Sequence, residues 1–293
     1  MFYEAKGDSV QIARMYMDSL LVEGRTVGAA RPDATFRFLG ETFETPVMTA
    51  ALSHLDLVSM AEGAKQAGAP VSIGMGGNEE MGKVLATGAK VMKIIKPYAD
   101  EREILSRIEY AEANGAIAVG MDVEHAVNVD DAEDSVVVGM QMKQPTLAEL
   151  EKYIKATKLP FFIKGVLSAR DAVKCRDLGA AGVILSHHNG LLRYAVPPVM
   201  ILPEIRKAVG RDLIVIADGG IESGFDAFKA LARGADAVTV GKALMGPLKE
   251  AGAEGVKDTL NKFAGQLRAM MIRTGTKDLK HVDPSVIHET MRF

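Results

Sequence analysis

"CRDLGAAGVILS", residues 175–186, carries the phrase that decides the fold: a helix-like segment, a Gly-Ala pair, then a short run of apolar residues. Glycine suits the left-handed position that ends a helix. An uninterrupted apolar run fits a strand buried on both faces. The phrase therefore reads as an αβ junction, and it recurs in "AKQAGAPVSIG" (64–74), "LATGAKVMKII" (85–95), "AEANGAIAVGM" (111–121) and "LARGADAVTVG" (231–241). Three more apolar runs lack the Gly-Ala lead: "TPVMTAA" (45–51), "LPFFIKG" (159–165) and "DLIVIADGG" (212–220). Together they predict strands starting near Pro46, Val71, Val91, Ile117, Phe161, Gly182, Leu213 and Ala237. Helices are expected at 57–66, 79–86, 100–113, 147–156, 169–178, 203–209 and 225–232, with a last one after Pro247. Eight strands alternating with eight helices within 293 residues is the arithmetic of an α/β fold closed into a single (β/α)8 barrel, the TIM barrel. A doubly wound open sheet is the structural rival.

Before the first strand, "ATFRFLGETFET" (34–45) alternates apolar and polar residues about Gly40. That pattern predicts a hairpin, which would plug one end of the barrel. We expect one domain over 1–293, with an N-terminal extension (1–44) and a C-terminal helical tail. Two connections are long, 123–144 and 189–202, and the first contains the charged stretch "NVDDAEDS" (128–135), which reads as solvated.

With 48% hydrophobic and 25% charged residues, the chain has the material for a sizeable core. Its 35 basic and 38 acidic residues are interspersed, giving a net charge of −3 and no signature of a nucleic-acid or anionic-membrane surface. The one cysteine, Cys175, lies in a helical stretch and reads as a packed thiol. The N-terminal residues carry charges throughout, unlike a signal peptide, and no apolar run reaches membrane-spanning length. The expectation is a cytoplasmic protein acting on a small molecule.

Functional groups of such barrels collect at the carboxyl ends of the strands. The residues there are Ala51 to Ser53, Ser72, Lys93, Asp122, Lys164, Ser186 to His188, Asp218 to Gly220, and Gly241 with Lys242. Glycines after the last two strands leave backbone N–H groups bare for an anion, so Gly219, Gly220, Gly241 and Lys242 read as a phosphate site, against the plainer reading of tight turns. Lys164 ends an apolar strand and needs a negative partner, unless it is a Schiff-base lysine or a structural one. Of the adjacent His187 and His188, one suits general acid–base work and the other shapes the pocket. His54 and His125 also follow strand ends. No second cluster of ligand type accompanies the histidine pair, so no metal is expected.

"FIKGVLSARDAVKCRDLGAAGVILSHHNG" (162–190) and "LPEIRKAVGRDLIVIADGGIESGFDAFKALARGADAVTVGKAL" (202–244) resemble the FMN-dependent α-hydroxy-acid oxidase and dehydrogenase family, which includes glycolate oxidase, lactate oxidase and flavocytochrome b2. The likeness is traceable back to Phe36 and returns in "RAMMIRTGTKDLKHVD" (268–283). It implies FMN as cofactor, with Lys164 beside the flavin ring, Ser186 touching it, and His188 as the base that takes the substrate proton while electrons pass to flavin N5. Asp122 would support the histidine and raise its pKa. Ala51, Ser53, Ser72 and Lys93 match flavin-contacting positions, although Lys93 replaces a glutamine. Asp218, Gly219, Gly220, Gly241 and Lys242 match the phosphate site, where Lys242 replaces an arginine and Ser223 stands in the place of another. A homo-oligomer, such as a tetramer, is also implied.

The departures concern the substrate. The family's Ser-Asn-His-Gly-Gly-Arg becomes Ser186-His187-His188-Asn189-Gly190-Leu191, so the arginine that grips the substrate carboxylate is missing. The second such arginine has no counterpart in "DVEHAVNVDDAEDS" (122–135), and the family's active-site tyrosine is replaced by Ile95. Leucine cannot reproduce a bidentate guanidinium clamp. Lys93, Lys96, His187 and Arg193 are the alternative anchors. The reading is an FMN-dependent oxidoreductase for a 2-hydroxy-acid-like or related alcohol. Its alternatives are a flavin-dependent isomerase resembling type 2 isopentenyl-diphosphate isomerase, a flavin protein without turnover, and a sugar-phosphate barrel enzyme using Lys164 covalently.

Overall fold

The computed structural model describes residues 6–128, 137 and 139–290. Eight parallel strands form the barrel: β4 (Val47–Thr49), β5 (Val71–Ile73), β6 (Val91–Ile95), β7 (Ala118–Asp122), β8 (Phe161–Lys164), β9 (Gly182–Leu185), β10 (Ile214–Asp218) and β11 (Ala237–Val240). Each begins within one residue of the position expected from sequence. Seven neighbouring pairs are joined by regular ladders. The eighth seam, between β4 and β5, is closed by side chain and bridge: Thr49 Oγ1 donates to the Ser72 carbonyl and accepts from its N–H, both at 2.9 Å, and Leu52 bridges Ile73. The open-sheet alternative is thereby set aside.

Around the strands run α2 (Leu57–Gln66), α3 (Asn78–Leu85), α4 (Glu101–Ala113), α5 (Leu147–Lys155), α6 (Ala169–Asp177), α7 (Pro198–Val209), α8 (Gly224–Ala232) and α9 (Lys242–Arg273). Five of these starts, those of α2, α4, α5, α6 and α8, are fixed by side-chain caps on Asp56, Asp100, Thr146, Ser168 and Ser223, each accepting a hydrogen bond from a first-turn N–H. The glycines of the repeated phrase, Gly68, Gly88, Gly115, Gly179 and Gly234, all take positive φ. Two helix starts differ from expectation. α7 begins at Pro198 rather than 203, and α9 at Lys242 rather than after Pro247, so Pro203 and Pro247 both lie in a second turn. A proline there forfeits one backbone bond, and the earlier starts bury Pro198, Val199, Leu202 and Leu244. The connection after β9 is correspondingly shorter. The solvated stretch expected at 128–135 lies, beyond Asn128, outside the described residues.

The hairpin forms as predicted, β2 (Phe36–Phe38) pairing with β3 (Glu41–Phe43) about Leu39 and Gly40, both at positive φ. Phe36, Phe38 and Phe43 pack on Met48, Met92, Ile94, Ala118, Phe162, Ile184, Ile216 and Ala237 and close the amino-terminal end of the barrel. The site must therefore open at the other end.

Two features were not expected. Helix α1 (Ser9–Ser19) lies near the carboxyl-end mouth, and β1 (Leu20–Val22) pairs antiparallel with β12 (Ile287–Glu289). Asp8 caps α1 by accepting from Val10 and Gln11. Arg14 then reaches from α1 to the Gly220 carbonyl and Asp226, each at 2.9 Å, tying the helix to the turn after β10. Among the described residues, no helix is long and apolar enough to cross a membrane.

Candidate active site

One carboxylate oxygen organises the mouth. Asp122, the last residue of β7, places Oδ2 2.8 Å from His188 Nδ1, 3.1 Å from Lys96 Nζ and 3.6 Å from Lys164 Nζ. Lys164 ends β8, lies 3.1 Å from Ser186 Oγ, and is 3.6 Å from Asp218 at the end of β10. His188 and Asn189 both take positive φ (45° and 53°) in the turn after β9, a conformation costly for a side-chain-bearing residue. That turn folds the imidazole back over Asp122 and Lys164. His125 meets it edge to face, with ring centroids 3.8 Å apart.

The charge states follow from this packing. Burial opposes ionisation of Asp122, but Lys164, His188 and Lys96 outweigh it and hold the carboxyl well below its ordinary range. Burial likewise opposes the Lys164 ammonium, yet Asp122, Asp218 and Glu124 keep its pKa raised. An ionised Asp122 only accepts, so the 2.8 Å contact assigns the hydrogen to Nδ1 of His188 and leaves the lone pair on Nε2; Lys164 Nζ, 3.1 Å from the same Nδ1, then meets it as a charge and not as a hydrogen-bond donor. Sequence reasoning expected Asp122 to raise the His188 pKa. Asp122 does pull it upward, but burial and then Lys164 push harder, and the imidazole falls to about 4.

Beside this group opens a cavity of about 390 Å³, whose wall includes Ala51, Lys164, Ser186, His187, His188 and Asp218. Gly219, Gly220, Gly241 and Lys242 continue the wall, with Glu222 adding a carboxylate. Gly219, at φ +113°, needs to be glycine: a Cβ there would stand 3.4 Å from His187 Nε2 and 3.5 Å from Pro198. Four other predicted positions are not part of this wall. Ser53 Oγ accepts from the Met75 N–H at 3.0 Å, and Ser223 is occupied as the cap of α8. Lys93 donates to the carbonyls of Gly74 (2.5 Å) and Gly76 (3.3 Å), and burial lowers its pKa to about 7. Ser72 is fully buried, with an Oγ that has no hydrogen-bond partner among the described residues.

The alternative anchors separate. Arg193 turns outward to the Lys6 carbonyl at 2.7 Å, Lys93 is held by backbone carbonyls, and Lys96 by Asp122. His187 alone of the four borders the cavity. Sequence reasoning missed Lys96's tie to Asp122, Arg14 and Glu124. Glu124 follows Asp122 by two residues, the spacing that returns a side chain to the same face of an extended segment. Its Oε2 is buried without a hydrogen-bond partner among the described residues, and its side chain packs against Gly165, next to Lys164. Burial, reinforced by Asp122 and Asp218, raises its pKa to about 8. Asp122, His125 and His188 bring potential ligand atoms within 4.8 Å of one another. Two ammonium groups on the same oxygen weigh against a cation there.

The sequence matches the family described as FMN-dependent dehydrogenase over residues 8–136 and 126–289. The chain belongs to that family. Among relatives, the L-lactate oxidase of Alicycliphilus denitrificans is 39% identical over 160 residues, 54% of this chain and 43% of that one. The L-lactate oxidase of Lactobacillus jensenii is 28% identical over 298 aligned positions, 88% of this chain and 73% of that one. The match to the first relative thus spans less than half its length. A mandelate oxidase variant solved with a monooxide FMN adduct superposes with a TM-score of 0.87 at 26% identity, covering 98% of this chain and 92% of that one. FMN is the cofactor of the FMN-dependent dehydrogenase family, and the cavity suits it. Three glycines expose backbone beside Lys242 at the start of α9, while Lys164 supplies a buried cation at the other end. The flavin isomerase reading gains no support from these relatives and is carried no further.

Proposed function

We propose that this chain is an FMN-dependent oxidoreductase that oxidises the hydroxyl-bearing carbon of a small 2-hydroxy-acid-like or related alcohol substrate, with His188 as general base. The observation that carries the reading is the Asp122–His188 pair: at 2.8 Å the carboxylate fixes the Nδ1–H tautomer, and the imidazole borders the cavity with Nε2 left to accept a proton. The low pKa keeps that nitrogen unprotonated at neutral pH. Lys164, held cationic, offsets negative charge that develops beside it. Bound FMN supplies the two-electron acceptor, at its N5. We assign FMN contacts to Ala51, Lys164, Ser186, Asp218, Gly219, Gly220, Gly241 and Lys242. A Schiff-base role for Lys164 is disfavoured, because that chemistry needs a neutral amine and two carboxylates hold this one charged.

The relatives act on lactate and mandelate by name, but among the described residues no arginine borders the cavity, so simple lactate should reduce the flavin slowly. The test is anaerobic flavin bleaching with a panel of hydroxy acids and alcohols. His188→Ala should retain FMN and lose bleaching by whichever compound is active. Normal bleaching in that variant removes the base assignment. We further propose that the chain works as one barrel unit in a homo-oligomer, given the exposed Leu192, Tyr194 and Val196, and light scattering reads that directly.

A further inference from the structure

The two histidines after β9 divide their work in a way fixed by hydrogen bonding. His187 Nδ1 accepts from the Gly190 N–H at 3.1 Å. An imidazole nitrogen that accepts carries no hydrogen, so a neutral His187 is the Nε2–H tautomer. Burial, against the pull of Asp218, lowers its pKa and keeps it neutral. His187 is 2% exposed, and its Nε2 has no hydrogen-bond partner among the described residues. A buried donor without an acceptor is costly. The ring borders the cavity, and Nε2 faces Gly219, where a Cβ would stand 3.4 Å away. The ring is thus held by Gly190 on one side, while on the other Nε2 lies buried against Gly219, so an acceptor in the cavity meets it once the ring or that glycine turn gives slightly.

We propose that His187 is a flavin-binding residue, its Nε2–H donating to an oxygen of the ribityl-phosphate chain lying along Gly219. This rests on the FMN reading above. It gives the cradle a neutral donor where Ser223 is spent on capping α8 and Glu222 brings a negative charge to the wall. A neutral donor suits the place because it adds no charge beside the Lys164–Asp218 pair, whose charged atoms lie 3.6 Å apart.

The test uses the full chain stripped of flavin, titrated with FMN and with riboflavin while flavin fluorescence is followed. His187→Phe keeps the ring volume and removes the donor, whereas His187→Gln restores an N–H. The Phe variant should bind FMN about tenfold more weakly, equivalent to about 1.4 kcal/mol, and the Gln variant should recover most of that loss. A matching loss for riboflavin assigns the partner to a ribityl hydroxyl; a loss confined to FMN assigns it to the phosphate. Unchanged affinity in a folded Phe variant overturns the proposal. Should that variant fail to fold, histidine ¹⁵N spectra of the wild-type chain decide: FMN must shift the protonated Nε2 resonance of His187, and no shift overturns it. Wild-type protein that binds neither flavin defeats the FMN reading itself, which is a separate outcome.

Discussion

Replacing Lys96 with methionine should raise the pKa of His188. Lys96 Nζ lies 3.1 Å from Asp122 Oδ2, and that oxygen lies 2.8 Å from His188 Nδ1, so the ammonium is at most about 6 Å from the imidazole. At an effective dielectric of about 20, unit charges about 6 Å apart repel by about 3 kcal/mol, or about 2 pKa units, which is a ceiling because burial, Lys164 and Asp122 all weigh more on this imidazole than Lys96 does. Both Lys96 and Asp122 side chains are more than nine-tenths buried, so solvent screening is small. Removing a positive charge favours the imidazolium, so the pKa moves up from about 4. Methionine preserves the apolar stem, and Asp122 keeps Lys164 and His188 as partners. Histidine ¹⁵N titration by NMR reads the shift without needing a substrate. With an active substrate, the acid limb of the flavin-reduction profile should move up with it while the plateau near pH 8 stays. Lys96→Arg keeps the charge and should leave the pKa close to wild type. A methionine variant that folds normally with an unmoved or lowered His188 pKa would refute the claim that the Lys96 charge holds the base down.

Two further perturbations address the surroundings of the base. Glu124→Gln should stabilise the chain at pH 8 and not at pH 4: the folded pKa of about 8 exceeds the unfolded value, so the native carboxyl holds a proton that the unfolded one releases, and stability falls as pH rises between them. Thermal melts at the two pH values check this, at about 2–4 °C per kcal/mol relieved, and equal shifts at both would contradict it. Arg14→Gln removes the guanidinium from Asp226 and the Gly220 carbonyl, which should cost about 1–3 kcal/mol and weaken FMN binding together. A melt and a flavin titration read these, and an unchanged melting temperature would show that α1 is not held by this pair.

The barrel and much of its site could be read locally. Apolar runs marked the strands, glycines at positive φ marked the αβ junctions, and Asp122, Lys164 and His188 stood at strand ends where a barrel gathers its chemistry. Such patterns are legible because period, capping and turn geometry are set over a few neighbouring residues. The starts of α7 and α9 were displaced because burial of their first turns outweighs the single bond lost at each proline.

Tertiary packing decided the rest. Whether Ser223 binds a ligand or caps α8, whether Arg193 faces in or out, and that α1 rests on the turn after β10 depend on which elements meet. The charge states depend on it most. Asp122 and Glu124 are the same kind of acid two residues apart, yet one is held ionised and the other protonated, because Lys96, Lys164 and His188 converge on the first while the second lies buried against Gly165. Those neighbours come from separate strands and turns. Coulomb energies and desolvation depend on distance in space, and a sequence specifies distance along the chain.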